Sequence, residues 1–146
     1  MLSRKSKYGL KALMVLAQEA RTEPMLISEL ARRDAIPKKF LEAILLELKR
    51  RGLVQSRKGK GGGYFLRRKP ADITFGEVIR LLDGPLAAVP CVSQTAYMKC
   101  VECVDEATCG VRLAMKEVRD ATAKILDHMT LADANARVAR KRRTSA

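Results

Sequence analysis

All four cysteines of the chain lie within residues 91–109, and this crowding constrains the architecture more than any other feature. They are Cys91, Cys100, Cys103 and Cys109, separated by eight, two and five residues. The chain before them is basic, and the chain after them has one long helical pattern. In a reducing compartment, thiols gathered in this way indicate metal binding or redox chemistry rather than a structural disulfide framework.

The net charge of +13 is distributed unevenly along the chain. Residues 1–80 contain 19 Lys and Arg against 8 Asp and Glu, whereas residues 81–136 contain 5 against 8. The last ten residues add five cations and no acid. A basic half beside a near-neutral half predicts that the basic half binds nucleic acid. A ribosomal-type or merely basic soluble protein is the alternative interpretation.

The sequence contains no pattern that predicts export or membrane insertion. The N-terminal residues run directly into a helical pattern without the apolar stretch of a signal peptide. No apolar run reaches the roughly 20 residues that a membrane span needs. The sequence therefore predicts a cytoplasmic protein with no membrane partner.

The basic half has the pattern of a helix-turn-helix. A first helix is predicted from Lys7 to about Ala20, and Ser28 is predicted to cap a short second helix. A third helix begins at Pro37 or Lys38 and stops at Gly52. In such a motif the N-terminal residues of the second motif helix face the major groove. An ordinary helical hairpin with solvated lysines is the alternative.

A glycine-rich hairpin follows the third helix. The segments 53–56 and 63–66 are predicted to pair as strands around the loop Arg57-Lys58-Gly59-Lys60-Gly61-Gly62. Glycines allow a tight turn and a close approach to a surface, and the cations suit phosphate or minor-groove contacts. The loop leads into a strand, whereas a nucleotide-binding loop leads into a helix, so nucleotide binding is not predicted. The pattern predicts the wing of a winged helix.

After the cysteines, one apolar stripe recurs over about three heptads. Its members are Val111, Met115, Val118, Thr122, Ile125 and Met129. A single stripe on one long helix predicts pairing with a second copy, or folding back on the same chain. The basic end from Arg137 to Arg143 has little apolar content and is predicted to be disordered, serving solubility or an auxiliary phosphate contact.

Taken together, these features resemble the IscR/NsrR/RirA family of bacterial winged-helix regulators, also called the Rrf-two family, over residues 1 to about 134. The segments that carry the resemblance are Ser6-Lys7-Tyr8-Gly9-Leu10, Ile27-Ser28-Glu29-Leu30-Ala31, Phe40-Leu41-Glu42, Leu48-Lys49, Gly52-Leu53-Val54, Gly61-Gly62-Gly63-Tyr64, Gly76-Glu77-Val78-Ile79 and Thr130-Leu131-Ala132-Asp133. The resemblance implies a two-fold homodimer that binds palindromic operator DNA, with a dimerisation helix that crosses to the other subunit.

The resemblance also implies a role for the cysteines, because in several members this loop holds an iron–sulfur cluster whose state alters DNA binding. Cys91 and Cys109 match the first and last cluster cysteines, and Cys100 or Cys103 matches the middle one. The sequence departs from IscR-type members at Arg112, where they have a histidine. Its only histidine, His128, lies late in the long helix, at an expected surface or interface position.

Three chemistries therefore remain open for the four cysteines. Four thiolates can ligate a [2Fe–2S] or [4Fe–4S] cluster without any other residue. They can also hold tetrahedral zinc, for which the two-residue gap between Cys100 and Cys103 is usual. With no cofactor, they can form a reversible disulfide switch.

The sequence thus predicts a mainly α fold with a small β-hairpin wing. The expected units are a winged helix-turn-helix domain (1–84), a cysteine-containing sensor loop (85–109), a dimerisation helix (110–134) and a disordered basic tail (135–146). The predicted DNA-contacting residues are Ser28, Lys38, Lys39, Phe40, Glu42, Arg57, Lys58, Lys60, Gly61, Gly62 and Tyr64, although Phe40 and Leu41 are also expected to face the core. The predicted metal ligands are Cys91, Cys100, Cys103 and Cys109.

The expected function is a transcriptional regulator that binds double-stranded DNA and senses iron–sulfur, redox or sulfur status. One alternative is a small metal- or redox-handling protein without a specific operator, which would have no need of a cationic wing. Another is a cofactor-free regulator that responds to a different signal. An enzyme is not expected, because there is no Ser/His/Asp set and no paired-carboxylate stretch in an evident cleft.

Overall fold

The computed structural model describes residues 2–18 and 23–146, which contain six α-helices and one two-stranded antiparallel sheet. The elements in chain order are α1 (Arg4–Gln18), α2 (Ile27–Arg33), α3 (Lys38–Arg50), β1 (Val54–Arg57), β2 (Gly63–Leu66), α4 (Phe75–Asp83), α5 (Gly110–Leu126) and α6 (Leu131–Thr144). Short 3-10 turns cover Pro70–Asp72 and Pro90–Val92. No helix of the described part is long and apolar enough to cross a membrane.

One apolar core joins helices α1 to α4 and the start of α6. Its fully buried members include Leu13, Leu30, Leu41, Leu45, Leu48, Leu53, Val78 and Leu131. They recur at helical spacing along α1 and α3, so each helix turns one face inward. At Gly9, α1 comes so close to α4 that a Cβ atom would lie 2.5 Å from Leu82 Cδ1. Glycine is what permits this close packing.

The hairpin forms where the glycine pattern predicts it. Strand β1 pairs with β2 in an antiparallel register in which Val54 lies opposite Leu66 and Arg57 lies opposite Gly63. The first strand begins one residue later than predicted, at Val54, and Leu53 before it is fully buried in the core. Gly63 has φ +140°, and a Cβ there would lie 2.3 Å from the carbonyl oxygen of Met25. The base of the hairpin is thus pressed against the segment that precedes α2.

Two helix starts differ from prediction. Helix α2 begins at Ile27, and no side chain caps it, so Ser28 is an exposed first-turn residue rather than the cap. Helix α1 begins at Arg4, three residues before the predicted start, and the Ser3 hydroxyl oxygen accepts a hydrogen bond from the Ser6 amide at 3.0 Å. That capping interaction accounts for the earlier start. The predicted end of this helix near Ala20 lies outside the described residues.

The basic tail was predicted to be disordered from residue 135, and this prediction is wrong, because α6 continues to Thr144. Thr130 and Asp133 form a reciprocal capping box at its start. The next residue, Leu131, is fully buried in the core. Further along, Asn135 Nδ2 donates to the Met14 carbonyl oxygen at 3.1 Å. The C-terminal segment therefore folds back onto α1.

The long helix α5 ends at Leu126 rather than near residue 134, and a short link leads from it to α6. Arg80 of α4 fixes this link, because its guanidinium contacts both carboxylate oxygens of Asp127 at 2.5 and 3.0 Å. The hydrogen bond with Arg80 lowers the pKa of the Asp127 carboxyl, and the same bond raises the pKa of Arg80. At Gly76 a Cβ would lie 2.0 Å from Asp127 Oδ1, so a larger residue at this position would clash with the carboxylate.

Candidate DNA-binding face and cysteine loop

The first two turns of α3 present charged side chains to the surface. Lys38, Lys39 and Glu42 are exposed, whereas Leu41 and Ile44 are buried against the core. The sequence dictates this division, because apolar residues recur three and four positions apart and leave the opposite face free. Two cations and one carboxylate on an exposed helix start suit phosphates and base edges.

Phe40 lies at the rim of this face, and its predicted core position is wrong. Its side chain is 41% exposed and packs edge-on against Tyr8, with ring centroids 5.7 Å apart. This contact secures the start of α3 against α1.

The wing carries the second group of predicted contacts. Lys58 and Lys60 are exposed and make no ion pair within the described part of the chain. The Arg57 guanidinium lies over the Phe65 ring at 6.0 Å. The Gly62 amide donates to the Gly59 carbonyl at 3.0 Å, which closes a tight turn at the tip. The wing therefore projects two unpaired cations on a compact loop.

The wing and the helix-turn-helix belong to one structural unit. Tyr64 exchanges two backbone hydrogen bonds with Met25, both at 2.8 Å, in an isolated bridge two residues before α2. Ser28 is exposed in the first turn of α2, close in sequence to that bridge. The glycines of the wing, Gly61 and Gly62, form the turn itself and offer backbone rather than side-chain contacts.

The cysteine loop is anchored at its first cysteine. Cys91 lies in the 3-10 turn Pro90–Val92 and is only 9% exposed, and Val92 and Ser93 beside it are also buried. The Arg119 guanidinium of α5 donates to the Val92 carbonyl oxygen at 2.5 Å. The start of the loop is thereby joined to the middle of the long helix.

The other three cysteines lie on the surface part of the loop. Cys100 is exposed, Cys103 is half-buried, and Cys109 is the half-buried N-cap residue of α5. Desolvation raises the pKa of the Cys103 thiol, and the nearby negative charges of Cys109, Glu106 and Cys100 raise it further. None of the four cysteines is in a disulfide.

The predicted ligand set is not assembled around one point. Within residues 2–18 and 23–146, no three His, Cys, Asp or Glu side chains are close enough together to hold a metal ion. The donor types suit an iron–sulfur cluster or zinc, since thiolates are the ligands that both take. In this arrangement, however, Cys91 is buried in the anchor while Cys100 is exposed. Ligation by all four would require the loop to close.

Arg112 occupies the position at which the family resemblance leads one to expect a histidine. Its Nε atom is buried and has no hydrogen-bond partner within the described structure. Across the loop, the Tyr97 hydroxyl donates to Glu106 Oε1 at 2.6 Å, and this bond raises the pKa of Tyr97. The side chains around the cysteines are thus polar and partly held in place.

Sequence reasoning missed the two arginines that connect the helices, Arg80 and Arg119. Their partners, Asp127 and Val92, are 47 and 27 residues away in the chain. Contacts between residues so far apart in the chain leave no local sequence pattern from which they could be predicted. The helical basic end was also missed, although the Thr130–Asp133 spacing is a recognisable capping signal.

Comparison with known proteins identifies the family. Residues 2–137 match the family model Rrf2, which is described as an iron-dependent transcriptional regulator. The chain belongs to the Rrf2 family. It is 44% identical over 136 residues to an rrf2-like HTH-type transcriptional regulator of Rhodobacter capsulatus, covering 91% of both chains. This confirms the resemblance stated above, and the regulator names of the relatives show that the chain is not an enzyme.

Solved structures of the family have the same fold. The structure of CymR, titled the global cysteine regulator of Bacillus subtilis, has a TM-score of 0.78 at 31% identity, covering 93% of this chain and 96% of that one. T. potens IscR has a TM-score of 0.74 at 28% identity, covering 94% and 88%. The predicted winged-helix fold class is therefore confirmed. The chain is a transcriptional regulator of a DNA-binding family.

Proposed function

We propose that this regulator binds operator DNA as a homodimer and that its cysteine loop makes binding respond to iron–sulfur, redox or sulfur status. The observation that carries the DNA-binding part is that the start of α3 and the wing both present exposed cations. Lys39 and Glu42 would contact base edges, and Lys58 and Lys60 would contact phosphates. Such a protein acts where the DNA is, in the cytoplasm.

Two findings support the sensing part. The family description names iron, and a relative of similar structure is titled a global cysteine regulator. In this chain, Cys91 and Cys109 mark the two ends of a loop that is joined to α5 at both ends, through Arg119 and through the helix start itself. A change at the thiols would therefore alter the position of α5.

Among the chemistries, we favour an iron–sulfur cluster, [2Fe–2S] or [4Fe–4S], over zinc or a disulfide switch. The four thiols could supply a full ligand set, and the Cys91 anchor, the Cys109 cap and the half-buried Cys103 would define its position. A bound cluster would supply a group that is lost or altered when iron or oxidants change. Arg112, with its unpaired Nε, would offer a hydrogen-bond donor beside it.

The DNA-binding proposal is tested by separating base contacts from phosphate contacts. Lys39→Ala and Glu42→Ala are expected to relax preference at particular operator positions by about 1–3 kcal/mol each. Lys58→Ala should weaken binding to all sequences alike and reduce the salt dependence, because a phosphate contact carries no sequence information. The measurement is competitive binding of each variant to a set of single-base operator variants.

Leu46 offers a matched control, because it lies on the same helix but one turn beyond these residues and is 46% exposed. Leu46→Ala should leave the ranking of operator variants unchanged. If Lys39→Ala and Glu42→Ala also leave that ranking unchanged, α3 does not read the bases.

A further inference from the structure

The cations of α6 are concentrated on its last two turns. Five of the seven residues from Arg137 to Arg143 are Lys or Arg, and residues 134–146 contain no acid. All five side chains are exposed, and none makes an ion pair with a carboxylate in the described part of the chain. Because the segment is helical, these charges have fixed positions around the end of α6 and are not spread along a flexible tail.

One side of this basic end, at Arg142, lies beside the helix-turn-helix. Helix α6 is fixed at its start by Leu131 and in its second turn by the bond from Asn135 to Met14. Further on, Val138 and Arg142 border a cleft whose other wall is formed by α1 and by Arg33 and Asp34, at the end of α2. Four residues after Asp34, α3 begins. The basic end of α6 is therefore placed next to the connection that leads into the recognition helix.

Asp34, the acid among the described residues that line this cleft, does not pair with an α6 cation. Asp34 is paired with Lys11, whose Nζ donates to the Asp34 carbonyl oxygen at 2.9 Å and lies 3.9 Å from its carboxylate. On the helix, Arg140 and Arg143 point away from the Leu131–Val138 side that packs on α1, because they are offset from it by about half a turn. Both are exposed on the outer side of α6.

We propose that α6 is a further DNA-contacting element, in which Arg140 and Arg143, on its outer side, bind backbone phosphates of the duplex. The inference rests on the proposed DNA binding and adds a surface outside the helix-turn-helix and wing. Charge complementarity selects the partner, since an ordered, acid-free row of cations matches the regular phosphates of a duplex. These contacts add affinity to every sequence and do not alter base preference.

The test compares Arg140→Gln/Arg143→Gln with the wild-type chain on two probes, a duplex enriched from a random-sequence library with the wild-type protein and a scrambled duplex of equal length. Two subunits would lose two to four phosphate contacts. At about 0.9 per contact, the slope of log affinity against log salt should become shallower by about 1.8 to 3.6. Affinity should fall by the same factor on both probes.

Two control variants make the result specific to this surface. Arg140→Lys/Arg143→Lys preserves the charge and should keep the wild-type slope. Lys116→Gln/Lys124→Gln removes two exposed cations from α5 and should also keep it, so an equal shift in this variant would show a general charge effect and refute the proposal. Circular dichroism confirms that the helices remain intact.

Failure of this inference is distinguishable from failure of DNA binding itself. If the wild-type chain enriches no duplex from the library, the proposed function fails. If the wild-type chain binds an enriched duplex and Arg140→Gln/Arg143→Gln has the same slope and affinity, DNA binding stands and α6 does not contact DNA. In that case its cations serve another anionic partner or solubility.

Discussion

The double variant Val118→Glu/Ile125→Glu is expected to be a monomer at concentrations where the wild-type chain is a dimer. None of the 17 residues of α5 is buried, yet Val118 and Ile125 are apolar and are 50% and 60% exposed. They lie seven residues apart on one stripe, which is the spacing of a helix–helix seam. An unpartnered stripe of this kind indicates a surface that a second chain covers.

The size of the effect follows from the cost of burying charge. A carboxylate enclosed against the apolar seam of a partner, without a cation to pair with, costs several kcal/mol. Since each 1.4 kcal/mol is about tenfold in the dissociation constant, a loss of that size weakens the dimer by orders of magnitude. Operator binding should collapse with it, because a palindromic site needs both recognition helices.

Sedimentation equilibrium measures this directly. Lys116→Gln/Lys124→Gln changes the charge by the same two units on the opposite side of α5 and should remain dimeric. If the glutamate variant sediments as the same dimer as wild type, the stripe on α5 is not the interface and the subunits associate elsewhere.

The winged domain could be predicted from sequence because its signals are local. Apolar residues at helical spacing define α1 and α3, and the stop at Gly52 and the glycines of the wing mark where the chain turns. The small errors have tertiary causes. Leu53 was assigned to the strand but belongs to the core, and Phe40 was assigned to the core but packs at the rim on Tyr8.

The C-terminal helix and the cysteine loop were harder for opposite reasons. Helix α6 has almost no apolar stripe, so composition indicated disorder, yet one buried leucine, Leu131, and the Thr130–Asp133 capping box hold its start in place. The loop contains conspicuous donors but no periodicity, so the sequence could name the thiols without placing them. Its anchor is the bond from Arg119 to the Val92 carbonyl, a long-range contact without a local pattern.

Replacing the two end cysteines, as in Cys91→Ser/Cys109→Ser, is expected to abolish any dependence of operator affinity on iron, sulfide or oxidant. Cys91 is buried in a turn that Arg119 ties to α5, and Cys109 is the residue from which α5 starts. A group that joins these two positions would set how α5 leaves the winged domain. In the proposed dimer, the orientation of α5 would in turn set the spacing of the two recognition helices.

The expected change in operator affinity has a typical size. Couplings between two sites in one protein are commonly 1–3 kcal/mol, or about 5- to 150-fold in affinity. Wild-type protein prepared without oxygen and supplied with iron and sulfide should therefore differ from chelator-treated or oxidised protein by a factor in this range. The double variant should bind the same operator with one affinity under all these conditions. Because serine is close to cysteine in size, the fold should be kept, as circular dichroism can check.

Iron, zinc and acid-labile sulfide contents, measured on the same samples, distinguish the chemistries of the switch. Iron with sulfide in the wild-type protein and neither in the variant supports a cluster, zinc alone supports a tetrahedral thiolate site, and a loss of two mass units on oxidation without metal supports a disulfide. Cys103→Ser is the informative single variant, since a four-thiolate site needs it whereas a Cys91–Cys109 disulfide does not. If wild-type operator affinity is the same with iron and sulfide, after chelation and after oxidation, the thiols do not govern DNA binding and the regulator responds to a different signal.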